Sequence, residues 1–301
     1  MPVLENTFEG GTVDASITTG NSSSGGTAFS AVEAAMTYAS TPVDHGTRSA
    51  KCPASSSTAV ARWALGGVDA VAFRVYRFIS AAHTSDHHFV RISHTTDTTA
   101  LTVLVNGANT LRVNDKSGTK WTADAALPTS QWIRIEGYVV QGASSSSGTM
   151  TIAYYLGDST TPIQTANLTG LNLGGDLGDF SNFRFGKISG DTPPAAIYYD
   201  SVKVHTAADA TGLIGPFSAP LATPTVTLTG STGPTSIGGS NGTATVSWPA
   251  VSGAGAYDAY KAAGTSPAQE DFTLVASGVT SPYTFTGLSA GGQSVGIKAR
   301  P

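Results

Sequence analysis

The chain has a single cysteine among 301 residues, so it can form no internal disulfide, and it has no CxxC pair or Cys/His spacing that would hold zinc. Cys52 therefore reads as a small buried hydrophobe. Charge is scarce too, at 12% of residues against about 25% in an ordinary soluble domain. The 16 Lys and Arg against 20 Asp and Glu leave a net charge of −4, without a basic run. Nothing in this supplies an electrostatic footprint for a phosphate backbone or an anionic membrane, so nucleic acid is not an expected partner. No apolar run approaches the roughly 18 residues of a membrane span. The opening Met1-Pro-Val-Leu-Glu-Asn-Thr-Phe-Glu-Gly-Gly has neither the basic nor the apolar region of a secretory signal. The expectation is a soluble chain made in the cytoplasm.

What the sequence has instead is period-two alternation, broken by Gly, Ser, Asn and Asp clusters, the pattern of antiparallel strands with one buried face. Val71–Ile79 sets Val71, Phe73 and Val75 against Arg74 and Tyr76, and His88–Ser93 sets Phe89 and Arg91 against Val90 and Ile92. Leu101–Val105 and Thr110–Val113 flank Asn106-Gly107, a strong hairpin signal. Trp132–Val140 and Thr149–Leu156 flank the flexible Gly142–Gly148 loop, and Ile197–Val204 closes the region. Ala28–Tyr38 stays ambiguous, because Phe29, Val32 and Met36 fit a helix as well as a strand. So many short strands between turn signals predict an all-β sandwich of two antiparallel sheets over residues 1–206. Residues 207–224, with Pro216, Pro220 and Pro224, read as an extended linker. Residues 225–301 carry six further strand signals, at 225–228, 243–248, 256–260, 272–275, 283–285 and 294–299, enough for a small immunoglobulin-like sandwich.

Four pieces of the first region, Phe8-Glu9-Gly10-Gly11, Asp44-His-Gly-Thr-Arg-Ser-Ala-Lys51, Gln131-Trp-Ile-Arg-Ile-Glu136 and Ile197-Tyr-Tyr-Asp-Ser-Val202, resemble the concanavalin A-like, or laminin G-like, jelly-roll superfamily. The last region, with Trp248-Pro249, Tyr257, Tyr260 and Leu288-Ser-Ala-Gly-Gly, resembles a fibronectin type III domain. The first resemblance implies that the first and last strands pair. In related carbohydrate-binding jelly rolls the matching residues, here Glu9 and Asp200, hold a structural Ca²⁺, so these two are the candidate metal ligands. The bland alternative is that both carboxylates hydrogen-bond or pair with arginine at a sheet edge.

Glycosidase chemistry needs two carboxylates set across the scissile bond. The five glutamates, Glu5, Glu9, Glu33, Glu136 and Glu270, do not form the Glu-x-Asp-x-(x)-Glu arrangement of laminarinase-type enzymes. No Gly-x-Ser-x-Gly motif is present either, so no catalysis is expected. His83, His87, His88 and His94 are the densest group of metal-ligating side chains, yet His87 and His88 are neighbours on a strand and point to opposite faces. Carbohydrate binding needs exposed rings for stacking and polar groups for orientation. Arg91, Arg112, Trp121 and Tyr155 are the candidates, with Trp121 placed in a loop-like Lys116–Trp121 stretch, whereas Trp132 and Trp63 read as core.

Tandem adhesive-type modules without a disulfide or an export signal resemble bacteriophage virion proteins. The expected function is that of a non-enzymatic minor tail or tail-tip protein, assembled in the host cytoplasm, contacting itself, other virion proteins and host-surface glycans. A head decoration protein and a carbohydrate-binding accessory module of a secreted bacterial glycoside hydrolase are the alternatives.

Overall fold

The computed structural model describes residues 3–33, 35–95, 98–190, 192–217, 226–232, 242–251, 254–264, 271–289 and 293–300. The chain forms two units, Met1–Phe217 and Ser218–Pro301. The first contains β1 (Leu4–Asn6), β2 (Ala31–Glu33), β3 (Thr37–Ala39), β4 (Ser49–Cys52), β5 (Ala59–Val68), β6 (Ala70–Ile79), β7 (His87–Ser93), β8 (Thr99–Val105), β9 (Thr110–Asp115), β10 (Gly118–Ala126), β11 (Trp132–Val140), β12 (Gly148–Leu156), β13 (Gln164–Leu171), β14 (Phe180–Gly190) and β15 (Ile197–Thr206).

These strands make two antiparallel sheets. One runs β13-β12-β11-β6-β15-β4-β3 with β1 also on β15, and the other runs β10-β9-β8-β7-β14-β5-β2. First and last strands pair, Leu4 opposite Val204 and Asn6 opposite Val202, in the jelly roll that the resemblance implied.

Alternation explains the layering. On β11, Ile133, Ile135 and Val139 enter the core, while Trp132, Arg134, Glu136 and Tyr138 take the other face. Between the sheets Phe29, Trp63, Phe183 and Phe185 form an aromatic centre, with Phe29 and Trp63 ring centroids 5.0 Å apart. Gly137 sits at a core-facing position of β11 where the Phe73 ring fills the space a side chain would take: a Cβ there would lie 2.4 Å from Phe73 Cε1.

Several expectations change. Ala28–Tyr38 is neither one strand nor a helix; it supplies the short β2 to one sheet and β3 to the other. The Lys116–Trp121 stretch is not a loop, because the Asp115–Gly118 turn runs directly into β10. On β7 the register shifts between His88 and Val90, so Phe89 joins Val90 and Ile92 in the core instead of sharing a face with Arg91. Residues 207–217 are not linker. Ala210 and Ile214 pack on Ala70 and Ala72, so the first unit extends to Phe217 rather than ending at 206. The rest of the expected linker, 218–224, lies outside the described residues.

In the second unit the six expected strands all occur, as β16 (Thr227–Thr232), β17 (Gly242–Ser247), β18 (Ala256–Ala263), β19 (Thr273–Ser277), β20 (Tyr283–Leu288) and β21 (Gln293–Arg300). They form two three-stranded sheets, β16-β17-β20 and β19-β18-β21. Val246, Trp248, Ala259, Phe285 and Ile297 make its core. Thr225 and residues 290–292 of the expected motifs lie outside the described residues.

Because Phe73 and Met150 close on Gly137, Gly137→Ala should overpack the core and cost about 1–3 kcal/mol. Guanidinium unfolding of the variant measures it.

Candidate functional site

The outer face of the larger sheet gathers most of the chain's chemistry, because register lines up like-facing residues from four strands. One cross-strand row is Trp132, Phe78 and Tyr198; the next is Tyr155, Arg134, Tyr76 and Asp200; the third has Glu136, Arg74 and Lys203. The first row is aromatic and half-exposed, with Phe78 5.6 Å from Trp132 and 6.1 Å from Tyr198 between ring centroids.

Apart from the half-buried Lys203, the other two rows are buried beneath the chain's own backbone. Arg134 Nε donates to Glu136 Oε1 at 2.5 Å, its Nη1 and Nη2 donate to the carbonyls of Gly157 and Ser159 at 2.6 and 2.8 Å, and Tyr155 stacks 4.0 Å from its Cζ. The remaining Glu136 oxygen accepts the Gly215 amide at 2.7 Å. Arg74 reaches Glu5 at 3.0 Å and the Pro216 carbonyl at 3.1 Å, and Lys203 meets the other Glu5 oxygen at 3.1 Å. Phe217 donates its amide to the Tyr76 hydroxyl at 2.7 Å, and its ring lies 4.3 Å from His45 and 5.5 Å from Arg74 Cζ. Residues 214–217 thus form a strap across the face. Under it Tyr76 and Glu136 are fully buried and Arg134 is 1% exposed.

Tyr76, Asp158 and His45 are already paired with one another. The Tyr76 hydroxyl donates to Asp158, and His45 Nε2 lies 2.8 Å from the second Asp158 oxygen. Burial pushes Asp158 up, yet these two donors hold it below the usual carboxylate range. Burial raises Tyr76, as does its bond to Asp158. Ser201 Oγ lies 3.3 Å from His45 Nδ1, completing a Ser–His–Asp chain in outline, but Ser201 is fully buried and no substrate can reach it.

Glu9 and Asp200 are brought to one loop. Asp200 Oδ2 accepts the amides of Asp44 and His45 at 3.0 and 3.1 Å, and its Oδ1 accepts the Ser201 amide at 2.7 Å. Glu9 Oε1 accepts the amides of Thr47 and Arg48 at 2.8 and 3.0 Å, and its Oε2 accepts the Thr47 hydroxyl at 2.7 Å. Each carboxylate oxygen therefore faces the positive end of an N–H or O–H dipole, where a calcium ion requires electron pairs directed at itself. Both residues act as clamps on the Asp44–Arg48 turn. Among the described residues no three His, Cys, Asp or Glu side chains are grouped to hold a metal. Burial raises Asp200 to about 7 and Asp44 to about 6. Asp44 Oδ2 lies 3.1 Å from His45 Nδ1 without accepting a hydrogen bond.

The four residues expected to bind carbohydrate do not form one site. Arg91 and Arg112 are on the smaller sheet, where Arg112 pairs with Asp86 at 3.1 Å. Tyr155 is on the larger sheet, buried against Arg134. Trp121, opposite Val113 on β10, faces inward and packs on the core. Of the histidines, His94 lies apart, bonding the carbonyls of Leu173 and Gly178, while His83 and His87 stay stacked beside Arg77, whose positive charge repels a metal ion.

Sequence reasoning missed Phe78, Trp132 and Tyr198. The signal was the parity of Trp-Ile-Arg-Ile-Glu: Ile133 and Ile135 claim the core, which puts Trp132 on the face of Arg134 and Glu136, not in the core.

Two outcomes follow from the loop clamp. EDTA should leave the melting temperature unchanged. A carboxyl group whose folded value is raised keeps a proton that the unfolded chain, at 3.8, has shed, so its stabilisation is present below that value and lost as pH rises through about 7. The buried histidines, among them His83, lowered to about 3 by burial and then by Arg77, act in the opposite sense below about pH 6.5. Comparing Asp200→Asn with the wild type at about pH 5 and about pH 8 separates the two, and the variant should lose the part of the decline that Asp200 causes.

No family model and no curated protein matches the sequence. Among solved structures, alginate lyase vAL-1 from a Chlorella virus is 14% identical over 56% of this chain and 88% of its own, with a TM-score of 0.43. Trypanosoma rangeli sialidase is 10% identical over 68% of this chain and 30% of its own, with a TM-score of 0.42. The receptor-binding domain of botulinum neurotoxin D is 10% identical over 68% of this chain and 48% of its own, also with a TM-score of 0.42.

Proposed function

We propose that the chain is a non-enzymatic structural protein of a virion surface, a minor tail or tail-tip protein, whose jelly-roll unit attaches to host-surface glycans through Phe78, Trp132 and Tyr198. The observation that carries the binding site is the aromatic row itself. Three rings in register across β11, β6 and β15 stand half-exposed beyond the strap. Burying large apolar rings is favourable and leaving three together in water is not, so such a row fits a flat partner with apolar faces, which a sugar ring has. Guanidinium and carboxylate groups lie on the same face, but Arg134, Glu136 and Arg74 are committed to the strap and to neighbouring loops. That supports binding over catalysis, since among the described residues no pair of carboxylates faces the rings as glycoside cleavage requires.

The virion assignment is supported by two β-sandwich-type units in tandem, the lone buried Cys52 and the Ser-, Thr- and Gly-rich surface segments. A shallow aromatic site of this kind binds weakly alone and gains strength from copy number in a symmetric assembly.

Trp132→Ala should weaken binding to host-surface oligosaccharides at least tenfold, about 1.4 kcal/mol, with the far-UV spectrum unchanged. Intrinsic tryptophan fluorescence titrations and a glycan array read it. Undiminished binding by Trp132→Ala would place the sugar elsewhere, and absence of the chain from purified particles would remove the virion assignment.

A further inference from the structure

A second polar group lies inside the core, at the end of the sandwich near the 53–58 and 80–86 loops. Arg77 on β6 stands opposite Tyr199 on β15 and, like it, faces the interior. Arg77 is 0% exposed, His87 and Lys187 are 1% exposed and His83 is 3% exposed. The guanidinium contacts His83 Nε2 and lies over Phe89, its Cζ 5.4 Å from the ring centroid. His83 and His87 stack with centroids 4.9 Å apart and planes 9° from parallel. Lys187 Nζ donates to the Ser56 carbonyl at 3.1 Å.

The group is short of acceptors and of negative charge. Arg77 Nε and Nη1 have no protein acceptor, and neither ring nitrogen of His87 has a partner. The Tyr199 phenol lies against the guanidinium at a geometry short of a hydrogen bond, and its hydroxyl is likewise without a partner. Among the described residues no carboxylate acts on Arg77, His83 or His87; on His87 the neighbours are Arg77, His83, Lys187 and His88. An arginine keeps its proton even when buried, and a buried cation without a counter-charge is among the costliest arrangements a core can hold. Paired charges elsewhere in this chain show the usual remedy, as Arg134 has Glu136. Around Arg77 the donors outnumber the acceptors, so the missing component is an anion.

We propose that this end of the core binds a small monovalent anion of halide size, held by Arg77 Nη1 with N–H and O–H donation from His87 and Tyr199. Size follows from the packing: Cys52, Phe89 and Tyr199 are all fully buried around the guanidinium, and a polyatomic ion such as sulfate would displace them. The valence matches the one guanidinium charge at the centre, since Lys187 is turned to Ser56.

The test is thermal unfolding of the full chain in sodium chloride or sodium bromide against sodium gluconate at one ionic strength. Halide should raise the melting temperature saturably, by about 5–10 °C at a hundredfold excess over its dissociation constant. Arg77→Met should melt alike in all three salts. If that variant does not fold, Lys187→Met and His87→Phe should each move the halide midpoint to higher concentration. Crystals grown in bromide should give an anomalous peak beside Arg77 Nη1. Equal wild-type melts in halide and gluconate, an equal halide response in Arg77→Met, or ordinary water density at that position would each overturn the proposal.

Discussion

Neutralising Glu136 is the constraint on which the outer face of the larger sheet depends. Its carboxylate has no solvent, so it takes the Arg134 guanidinium on one oxygen and the Gly215 amide on the other. Breaking a buried pair of this kind by removing one partner typically costs about 3–5 kcal/mol. That requirement draws three otherwise separate pieces of chain together: Arg134 also gathers the carbonyls of the 157–159 turn, and Gly215 anchors a segment that would otherwise be free to extend. Phe217, seated between His45 and Arg74, follows from the same anchoring.

The consequence for function is a face divided along its strands. Where the strap crosses it, polar groups of the kind that enzymes use are consumed in holding the fold together. Beyond the strap the same sheet leaves Trp132, Phe78 and Tyr198 half-exposed, so the surface left available is apolar and flat. Asp200 and Glu9 work in the same manner, as clamps on the amides of one turn, with their negative charge spent on N–H dipoles.

The two buried arginines of neighbouring parity show how a one-residue difference in facing changes the chemistry. Arg134 lies on the outer face and meets a carboxylate two positions along its own strand. Arg77 lies on the inner face, among Phe89, Tyr199 and two neutral histidines, with no carboxylate in reach among the described residues. Burial of both is comparable, so what separates them is only which neighbours the alternation supplies.

The sequence by itself determined the all-β class, the β8–β9 hairpin, the pairing of β11 with β12 and six strands of the second unit. These depend on local alternation and turn chemistry, such as Asn106, whose side chain accepts the amides of Ala108 and Thr110. The parity of β11 also carried the facing of Trp132, had Ile133 and Ile135 been given the core. Only tertiary structure decided the rest. The bulge at Phe89, the split of Ala28–Tyr38 between two sheets, the inward turn of Trp121 and the strap at 214–217 all depend on contacts between residues distant in the chain. The candidate site is of the same kind, for its rows form across strands that the sequence lists far apart, Trp132, Phe78 and Tyr198 being neighbours only through register. Local periodicity specifies which face a residue takes, but which strand lies beside which is set by burying both faces of two sheets at once, and no short window of sequence contains that sum.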